Sequence, residues 1–340
     1  MKNAQNTRKN ISVIGTGRIA FLLEEDKLRY KPCTHIGALC NLKNKGYQIE
    51  FNNLCDINTE KLTKLKNYLI KENISVQNTT FTDNFEDIFN QINTDILIIS
   101  STTNTHSNIL QTAMVKNIPH IIVEKPIVMN KEHVKQIRKL SKESKSKIWI
   151  NYERRFHPVY NKILKIIEEN QLGHVYHYRG ILASKASELF IKNQTEGLLL
   201  HDTTHILDLA FYLFGRGKLL NILKKTKKEN THSLNLLHAK KNITGQILTI
   251  RKANFFHLEM DIFFERGRIR AGNGFFIIEK SKNSKYYSNF QSLKEEFSST
   301  GIIKSVKENP FIRLYENVLL DKEPENILED SLCNVDILLS

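Results

Sequence analysis

Paired cysteines are missing from this sequence. Its four cysteines, Cys33, Cys40, Cys55 and Cys333, are scattered along the chain, and no two of them form a C-x-x-C motif. Scattered cysteines of this kind are typical of reduced thiols in the cytoplasm, where disulfides rarely persist. We therefore predict a cytoplasmic protein.

Long apolar segments are missing as well. No run is long enough to span a bilayer, and the first ten residues, MKNAQNTRKN, lack the apolar segment of a signal peptide. The hydrophobic content of 40% and the charged content of 25% are those of a soluble globular protein. We therefore expect no membrane partner.

Positive charge, in contrast, is in excess. Fifty Lys and Arg residues against 36 Asp and Glu residues give a net charge of +14. A nucleic-acid-binding face would need these charges in a cluster. Here the lysines are spread along the chain, and the densest basic run, Lys224–Lys228, has no interleaved aromatic residues. We expect no nucleic-acid partner and interpret the charge as a weak indication of an anionic substrate.

The first half of the chain alternates short apolar runs with helical patterns. The predicted strands are Asn10–Gly17, Ile49–Asp56, Asp95–Ser101, His120–Pro126 and Ile148–Ile150. Alternation of this kind predicts an α/β domain with a doubly wound parallel sheet. Because 340 residues exceed the usual size of one core, we predict two domains, at residues 1–150 and 151–340.

The second half of the chain has a different pattern. Strand-like segments follow one another at 233–239, 243–250, 255–264 and 275–280 without helices between them, which predicts an α+β domain with a large, mostly antiparallel open sheet. The polar stretch at 281–299 resembles a loop. Helices are predicted at 310–320 and in the last dozen residues, and the last helix has the option of packing back on the first domain.

A glycine fingerprint follows the first predicted strand. Gly15, Gly17 and Ala20 fit G-x-G-x-x-G/A, and a helical pattern follows from Arg18. The first glycine permits a tight turn, the second lets the backbone approach a pyrophosphate, and the small third residue permits close helix–strand packing. This pattern predicts a Rossmann-type dinucleotide-binding site.

Asp56 ends the second predicted strand, where an acidic residue can bind a ribose 2′-hydroxyl. A carboxylate there repels a 2′-phosphate, which favours NAD over NADP. Asp56 comes later than the usual offset of about 20 residues, so we interpret Lys31–Gln48 as an inserted or lengthened connection. The alternative is that Asp56 caps the helix containing Leu62, Leu65 and Leu69, and both roles can hold together.

The segment His120–Pro126, HIIVEKP, delivers Glu124 and Lys125 to the carboxyl end of a buried strand. Ligands bind outside the carboxyl ends of strands in open α/β sheets, so Lys125 could face both cofactor and substrate. The alternative is an ordinary solvated loop. After the preceding strand, Asn104 or Thr105 is predicted to cap a helix that has His106 in its first turn. One alternative for His106 is that it is merely exposed.

A second polar cluster, His201, Asp202, His205 and Asp208, lies in a helical segment. Spacings of three and four residues place His201, His205 and Asp208 on one face. The alternatives are ordinary capping or packing, and a metal site, since HDTTH resembles the H-E-x-x-H motif of zinc hydrolases. The shorter aspartate would draw the general base away from a metal-bound water, so we predict no metal.

Several motifs occur together in one order along the chain: GTGRIA, DILIISSTTNTH, EKP, RRFHP and HDTTHILD with the following YLFG. In these motifs the chain resembles the Gfo/Idh/MocA family of nicotinamide-dependent oxidoreductases. The resemblance implies NAD as the cofactor, with NADP as the alternative. It implies a cofactor site formed by Gly15, Thr16, Gly17, Arg18, Ile19, Asp56, Ser101, Thr102, Asn104, His106, Glu124 and Lys125.

The resemblance also implies hydride transfer at a secondary alcohol of a sugar. Lys125 would bond the reacting hydroxyl, and His205 would take or relay its proton. Arg155, or its neighbour Arg154, would contact substrate. The substrate site implied by the resemblance comprises Lys125, Arg155, His201, Asp202 and His205. Relatives commonly carry aspartate where this chain has His201, so either Asp202 takes over part of that role or the substrate needs an imidazole there.

The expected partners are a sugar substrate, with a nucleotide-linked sugar for surface polysaccharide synthesis as one option, and further copies of the chain. A broad antiparallel sheet leaves one face to cover, which favours a homo-oligomer, either a dimer or a tetramer. The alternative function is a catalytically silent dinucleotide-binding regulator of the same fold. No DNA-reading motif supports that alternative.

Overall fold

The computed structural model describes residues 7–90, 93–185, 197–224, 231–300 and 309–340, without the side chains at 197–199, 201 and 224. The chain divides into two compact units. Unit 1 comprises Met1–Phe156 and Ser305–Asp336, and unit 2 comprises His157–Lys304 and Ile337–Ser340.

Unit 1 is built on a six-stranded parallel sheet. Its strands are β1 Lys9–Ile14, β2 Ile49–Cys55, β3 Thr80–Thr82, β4 Ile96–Ile99, β5 His120–Val123 and β6 Lys147–Ile150. The order β3-β2-β1-β4-β5-β6 reverses at β1, so the sheet is doubly wound as predicted. β4 and β5 are buried along their whole length, as expected for the apolar runs Ile96–Ile99 and Ile121–Val123 in a sheet covered on both faces.

Five helices connect these strands: α1 His35–Asn44, α2 Thr59–Lys71, α3 Glu86–Asn90, α4 Thr103–Val115 and α5 Lys131–Leu140. α2 buries Leu62, Leu65 and Leu69 on one side, as their spacing predicts. The predicted cap of α4 at Asn104 or Thr105 is wrong, because the capping position is Thr102, two or three residues earlier.

The helix predicted from Arg18 is interrupted in the structure. One helical turn forms after Gly17, whose carbonyl accepts from the N–H of Phe21 at 3.1 Å. The chain then leaves the helix through a 3₁₀ turn, Leu22–Glu25, and α1 begins only at His35. The N–H of His35 donates to the carbonyl of Ile19 at 3.2 Å, the partner that residue 23 would have in an unbroken helix. An insertion therefore interrupts the first helix after one turn.

This arrangement corrects the predicted insertion at Lys31–Gln48. The extra residues end at Thr34, and most of the segment that was interpreted as an insertion is α1 itself. Thr34 caps α1 by accepting from the N–H of Gly37 at 3.1 Å. Glu24 closes the base of the insertion, since its Oε1 accepts from the N–H of Cys33 at 2.6 Å and from Thr34 Oγ1 at 2.8 Å.

The described part of unit 2 combines two α-helices with an eight-stranded sheet. The elements are α6 Pro158–Glu168, β7 Val175–Ser184, α7 Gly197–Phe214, β8 Lys218–Lys224, β9 Thr231–His238, β10 Ile243–Arg251, β11 His257–Phe264, β12 Gly267–Gly272, β13 Phe275–Asn283 and β14 Gln291–Thr300. The strand order is β14-β13-β12-β11-β7-β10-β9-β8, and every neighbouring pair except β7–β10 is antiparallel. The predicted large, mostly antiparallel sheet is confirmed.

The stretch 281–299, predicted to be a loop, instead belongs largely to an edge hairpin. β13 extends to Asn283 and pairs with β14, whose side chains are mostly exposed. Edge strands are protected from pairing with other chains by polar and charged residues, so an edge strand resembles a loop in sequence.

Helix α7 lies on one face of this sheet. Tyr178 of β7 stacks on Phe214 at 4.5 Å between ring centroids. A side chain at Gly180 would come within 2.8 Å of Ile206, so this glycine permits close helix–sheet packing. Because side chains alternate along a strand, Tyr178, Gly180, Leu182 and Ser184 form the row of β7 that faces α7.

Two C-terminal helices, α8 Pro310–Leu319 and α9 Ile327–Leu338, follow the sheet of unit 2 in the chain, and both are predicted from sequence. α8 contributes Phe311, Ile312, Leu314 and Tyr315 to the hydrophobic core of unit 1. Asn309 caps α8 and donates through Nδ2 to the carbonyl of Pro32 in the insertion at 2.6 Å. None of the helices in the described ranges has the length and hydropathy needed to cross a membrane.

Candidate active site

The loop after β1 is pressed against the end of β4. Gly15 has a φ of +90°, and a side chain there would lie 2.3 Å from the backbone nitrogen of Ser101. Ser100 Oγ donates to the carbonyl of Gly15 at 2.7 Å. Gly17 has no other atom within 4 Å of the position that a side chain would occupy, so its backbone stays accessible. Glycine is required at the first position and leaves room for a ligand at the second.

Asp56 ties the end of β2 to this loop. Its Oδ2 accepts from the backbone N–H of Thr16 at 2.8 Å and from Thr16 Oγ1 at 3.1 Å. The alternative capping role belongs to Asn58, whose side chain accepts from the N–H of Lys61 at the start of α2. The ribose-binding role of Asp56 stays a prediction.

His106 connects the loops after β4 and β5. Its side chain is buried, so the alternative that it is merely exposed is wrong. Nδ1 lies 3.0 Å from the carbonyl oxygen of Pro126, and Nε2 lies 3.0 Å from that of Ser101. Burial lowers the pKa of His106 in spite of these two carbonyls and the nearby Glu124. His106 therefore braces the turn that carries Lys125.

Glu124 is the centre of a buried hydrogen-bond network. Its Oε1 accepts from His35 Nε2 at 2.9 Å and from Asn151 Nδ2 at 2.5 Å. His35 Nδ1 in turn lies 2.7 Å from the hydroxyl of Tyr315. Burial alone would raise the pKa of Glu124, but His35, Asn151 and Lys125 together lower it. The carboxylate next to Lys125 is therefore ionised.

Sequence reasoning missed three members of this network. Asn151 directly follows β6, so its place at the carboxyl end of the sheet could have been predicted from the strand pattern. His35 and Tyr315 are 280 positions apart, and no local pattern indicates that they meet. Burial raises the pKa of Tyr315 well above its ordinary value, so this hydroxyl keeps its proton and donates to His35.

Arg155 lies in the 3₁₀ turn Glu153–Phe156, directly after β6. Its guanidinium is buried, and Nη2 donates to Asp330 Oδ2 at 2.8 Å. Its neighbour Arg154 pairs with Glu153 at 3.2 Å. At least part of the Arg155 fork therefore holds α9 against unit 1, and its substrate role stays a prediction.

The second polar cluster lies in the first half of α7. Asp202 and His205 are partly exposed, whereas Thr203, Thr204 and Asp208 are buried. Residues three apart are neighbours on a helix, so Asp202 and His205 share its accessible side. Asp202 Oδ2 accepts from Ser184 Oγ at 2.5 Å. The predicted position His201 has its side chain outside the described part.

A metal site is not formed by the side chains that the structure describes. Within the described ranges, no group of three or more His, Cys, Asp or Glu residues is arranged to hold a metal ion. The HDTTH alternative depends on His201, whose side chain lies outside that set.

Comparison with known proteins identifies the first unit. The GFO_IDH_MocA model, described as an oxidoreductase family with an NAD-binding Rossmann fold, matches residues 9–152. A myo-inositol 2-dehydrogenase from Thermotoga maritima is 25% identical over 275 residues, which cover 77% of this chain and 75% of the relative.

Solved structures confirm the fold of the whole chain. Levoglucosan dehydrogenase in complex with NADH aligns with a TM-score of 0.74 at 15% identity, over 98% of this chain and 95% of the other. The WlbA dehydrogenase from Bordetella pertussis, in complex with NADH and UDP-GlcNAcA, aligns with a TM-score of 0.71 at 17% identity, over 98% and 94%.

The lowered pKa of Glu124 predicts a pH-dependent contribution to stability. A depressed pKa stabilises the fold above the ordinary value of 4.5, and this contribution is lost as pH falls through the folded-state pKa. Replacing Glu124 by Gln should therefore cost about 1–3 kcal/mol of unfolding free energy at pH 7, and the difference from the wild type should shrink below pH 4.5.

Urea unfolding can be followed through the fluorescence of the only tryptophan, Trp149, which is buried in unit 1. The exposed Glu143→Gln is the matched control and should unfold like the wild type. If Glu124→Gln lowered the unfolding free energy by the same amount at pH 7 and at pH 4, the result would contradict an ionised, hydrogen-bonded carboxylate.

Proposed function

We propose that this chain, whose residues 9–152 match the model of the Gfo/Idh/MocA family of NAD-binding oxidoreductases, transfers hydride between NAD and a secondary alcohol of a sugar or cyclic polyol. One observation carries this proposal. The glycine loop, the Ser101–His106 brace and the Glu124–Lys125 pair follow β1, β4 and β5, at the carboxyl edge of one parallel sheet. That edge is where open α/β sheets bind dinucleotides and carry out chemistry on them.

The residues of unit 1 fit a dinucleotide. The open space at Gly17 lets a pyrophosphate approach the backbone, and Asp56 stands at the end of β2, where a ribose hydroxyl can be bound. The cofactor site that we propose consists of Gly15, Thr16, Gly17, Arg18, Ile19, Asp56, Ser101, Thr102, Asn104, His106, Glu124 and Lys125. Bound NAD supplies the hydride acceptor, and the protein supplies orientation and charge.

Two side chains are assigned to the proton transfer. Lys125 hydrogen-bonds the reacting hydroxyl, and His205 takes or relays its proton. The assignment of Lys125 is supported by its place after β5, beside the ionised Glu124, which attracts its ammonium group. The assignment of His205 is supported by its position on the accessible side of α7. Arg155, His201 and Asp202 are proposed to contact the substrate.

The substrate class is inferred from relatives. The Thermotoga relative is named for a cyclic polyol, and the two solved structures are a levoglucosan dehydrogenase and a complex with UDP-GlcNAcA. A sugar or polyol carbinol is the chemistry that these names share. The finer proposal, a nucleotide-linked sugar for surface polysaccharide synthesis, is favoured by the net charge of +14.

Cofactor preference is the first test. Calorimetric titration should show tighter binding of NAD than of NADP, because the Asp56 carboxylate repels a 2′-phosphate. Asp56→Asn removes that charge while keeping an acceptor for the N–H of Thr16. It should therefore reduce the ratio between the affinities for NAD and for NADP. A clear preference of the wild type for NADP would refute the role given to Asp56.

Turnover of single and double variants is the second test. Lys125→Ala and His205→Ala should each lower kcat about 10²–10⁴-fold, the usual contribution of acid–base catalysis. Because groups that serve one step are non-additive, the double variant should lose little more than the worse single one. NAD affinity should stay nearly intact, since the glycine loop and the other residues of the proposed cofactor site remain in both variants.

Other functions would give different patterns. A metal hydrolase would lose activity with a chelator and with His201→Ala, and Lys125→Ala would have little effect. A silent regulator would bind NAD without turnover in any variant. An active wild type whose turnover survives Lys125→Ala unchanged would refute the assignment of Lys125.

We also propose that the chain forms a homo-oligomer, a dimer or a tetramer. On the face of the unit 2 sheet away from α7, Arg268 binds Asp261 through two 2.8 Å contacts, and Arg270 pairs with Glu259 at 3.3 Å. A charged face of both signs is complementary to a second copy of itself. Light scattering should give a multiple of 39.5 kDa, and a monomer at micromolar concentration would count against this proposal.

A further inference from the structure

The face of the unit 2 sheet that packs on α7 becomes polar at one end. β7 and β10 run parallel, so their paired residues point to the same face. Along β10 that row is Gly245, Ile247, Thr249 and Arg251, beside Tyr178, Gly180, Leu182 and Ser184 of β7. His232 of β9 pairs with Thr249 and joins the same row. Apolar packing therefore gives way to Ser184, Thr249, His232 and Arg251, which we call the polar end of the sheet.

The polar end lies under the first turns of α7. Thr203 Oγ1 is 3.1 Å from Thr249 Oγ1, and Asp202 Oδ2 accepts from Ser184 Oγ at 2.5 Å. These two contacts fix the start of α7 over the last residues of β7 and β10. The accessible side of α7, with Asp202 and His205, therefore borders the polar end.

Arg251 is the charged residue of the polar end. One of its nitrogens, Nη1, donates to His232 Nε2 at 3.2 Å, and His232 is buried. Among the described residues, no carboxylate lies within ion-pair distance of Arg251. Asp202 attracts the guanidinium without touching it, and burial lowers the pKa of Arg251 in spite of that attraction. The partly buried Arg251 guanidinium therefore contacts the His232 ring, and no carboxylate, in the described part of the fold.

Such a cation is suited to an anionic ligand. Removing a guanidinium from water costs free energy that a bound anion can offset. Its planar donors match a carboxylate or a phosphate. The hydrogen bond to His232 fixes one edge of the group, and the described residues make no other hydrogen bond to it. A neutral hydroxyl offers no comparable compensation for the charge.

We propose that Arg251 binds a carboxylate or phosphate group of the substrate, so that this protein acts on acidic rather than neutral sugars. The inference rests on the proposed function, because it takes α7 as the substrate-binding helix of unit 2. It deepens that function by naming the substrate class. The excess of basic residues in the chain favours the same ligands.

The test is calorimetric titration of the NAD-loaded protein with D-glucose, D-glucuronate and D-glucose 6-phosphate. These probes share one ring and differ in the acidic group. The wild type should bind at least one acid about 10-fold or more tightly than glucose, the worth of a charge-assisted hydrogen bond. Binding of glucuronate alone identifies a carboxylate, and binding of the phosphate ester alone identifies a phosphate.

Variants locate the effect. Arg251→Gln should abolish the preference for the acid, and Arg251→Lys should retain part of it, since the charge remains and the planar fork is lost. Arg266→Gln is the matched control, because Arg266 is an exposed arginine of the same unit. It should keep the full preference, and all three variants should show wild-type melting temperatures with NAD.

Two results would overturn the inference: a wild type that binds neither acid more tightly than glucose, or a preference that survives Arg251→Gln. Binding is measured independently of turnover, so the experiment can refute the role of Arg251 without refuting hydride transfer to NAD, and the reverse. Acid binding without reduction of NAD would refute the proposed function alone. Turnover of neutral polyols with no preference for an acid would refute the role of Arg251 alone.

Discussion

A buried carboxylate organises unit 1. Glu124 is almost inaccessible to solvent, and an ionised group in such a place is tolerated only when hydrogen-bond donors surround it. The donors come from distant parts of the chain, His35 at the start of α1 and Asn151 after β6, and Tyr315 of α8 holds His35 in turn. The Glu124 carboxylate therefore links α1, the carboxyl edge of the parallel sheet and α8. Glu124 is the residue directly before Lys125.

The insertion in the first helix does not disturb the hydrogen bonds of Glu124, because its two ends are bonded to each other. The helical turn after Gly17 survives, and the hydrogen bond from His35 to Ile19 continues the helix on the far side of the insertion. Glu24 and Thr34 bond at its base, so the two halves of the helix stay aligned. His35, at the start of the resumed helix, bonds to Glu124 at 2.9 Å.

The sequence predicts the parallel sheet well, because buried strands such as β4 and β5 are short, apolar and bounded by polar loops. Ser101 and Lys125 could be placed for the same reason, since the carboxyl ends of parallel strands share one edge. The late position of Asp56 predicts an insertion, but its place could not be predicted, because Phe21, Leu22 and Leu23 continue an apolar helical pattern into it. Only a proline, Pro32, indicates a break.

Contacts between segments that are distant in the chain could not be predicted from the sequence either. The pairing of His35 with Tyr315 depends on how α8 returns to unit 1, which no local pattern encodes. The polar end of the unit 2 sheet likewise requires the parallel register of β7 and β10, which brings Ser184 beside Arg251. A period of two along each strand shows which residues share a face, and only the register shows which of them are neighbours.

The central claim, direct hydride transfer from a sugar carbon to NAD, is tested by following an isotope. The protein is incubated with NAD and with sugars or polyols that carry deuterium on their ring carbons, both acidic and neutral, and the cofactor is analysed by mass spectrometry and NMR. The account predicts that the reduced nicotinamide carries the deuterium of the substrate. Reduced cofactor without deuterium, or a cofactor that binds and stays oxidised with every substrate, would contradict it.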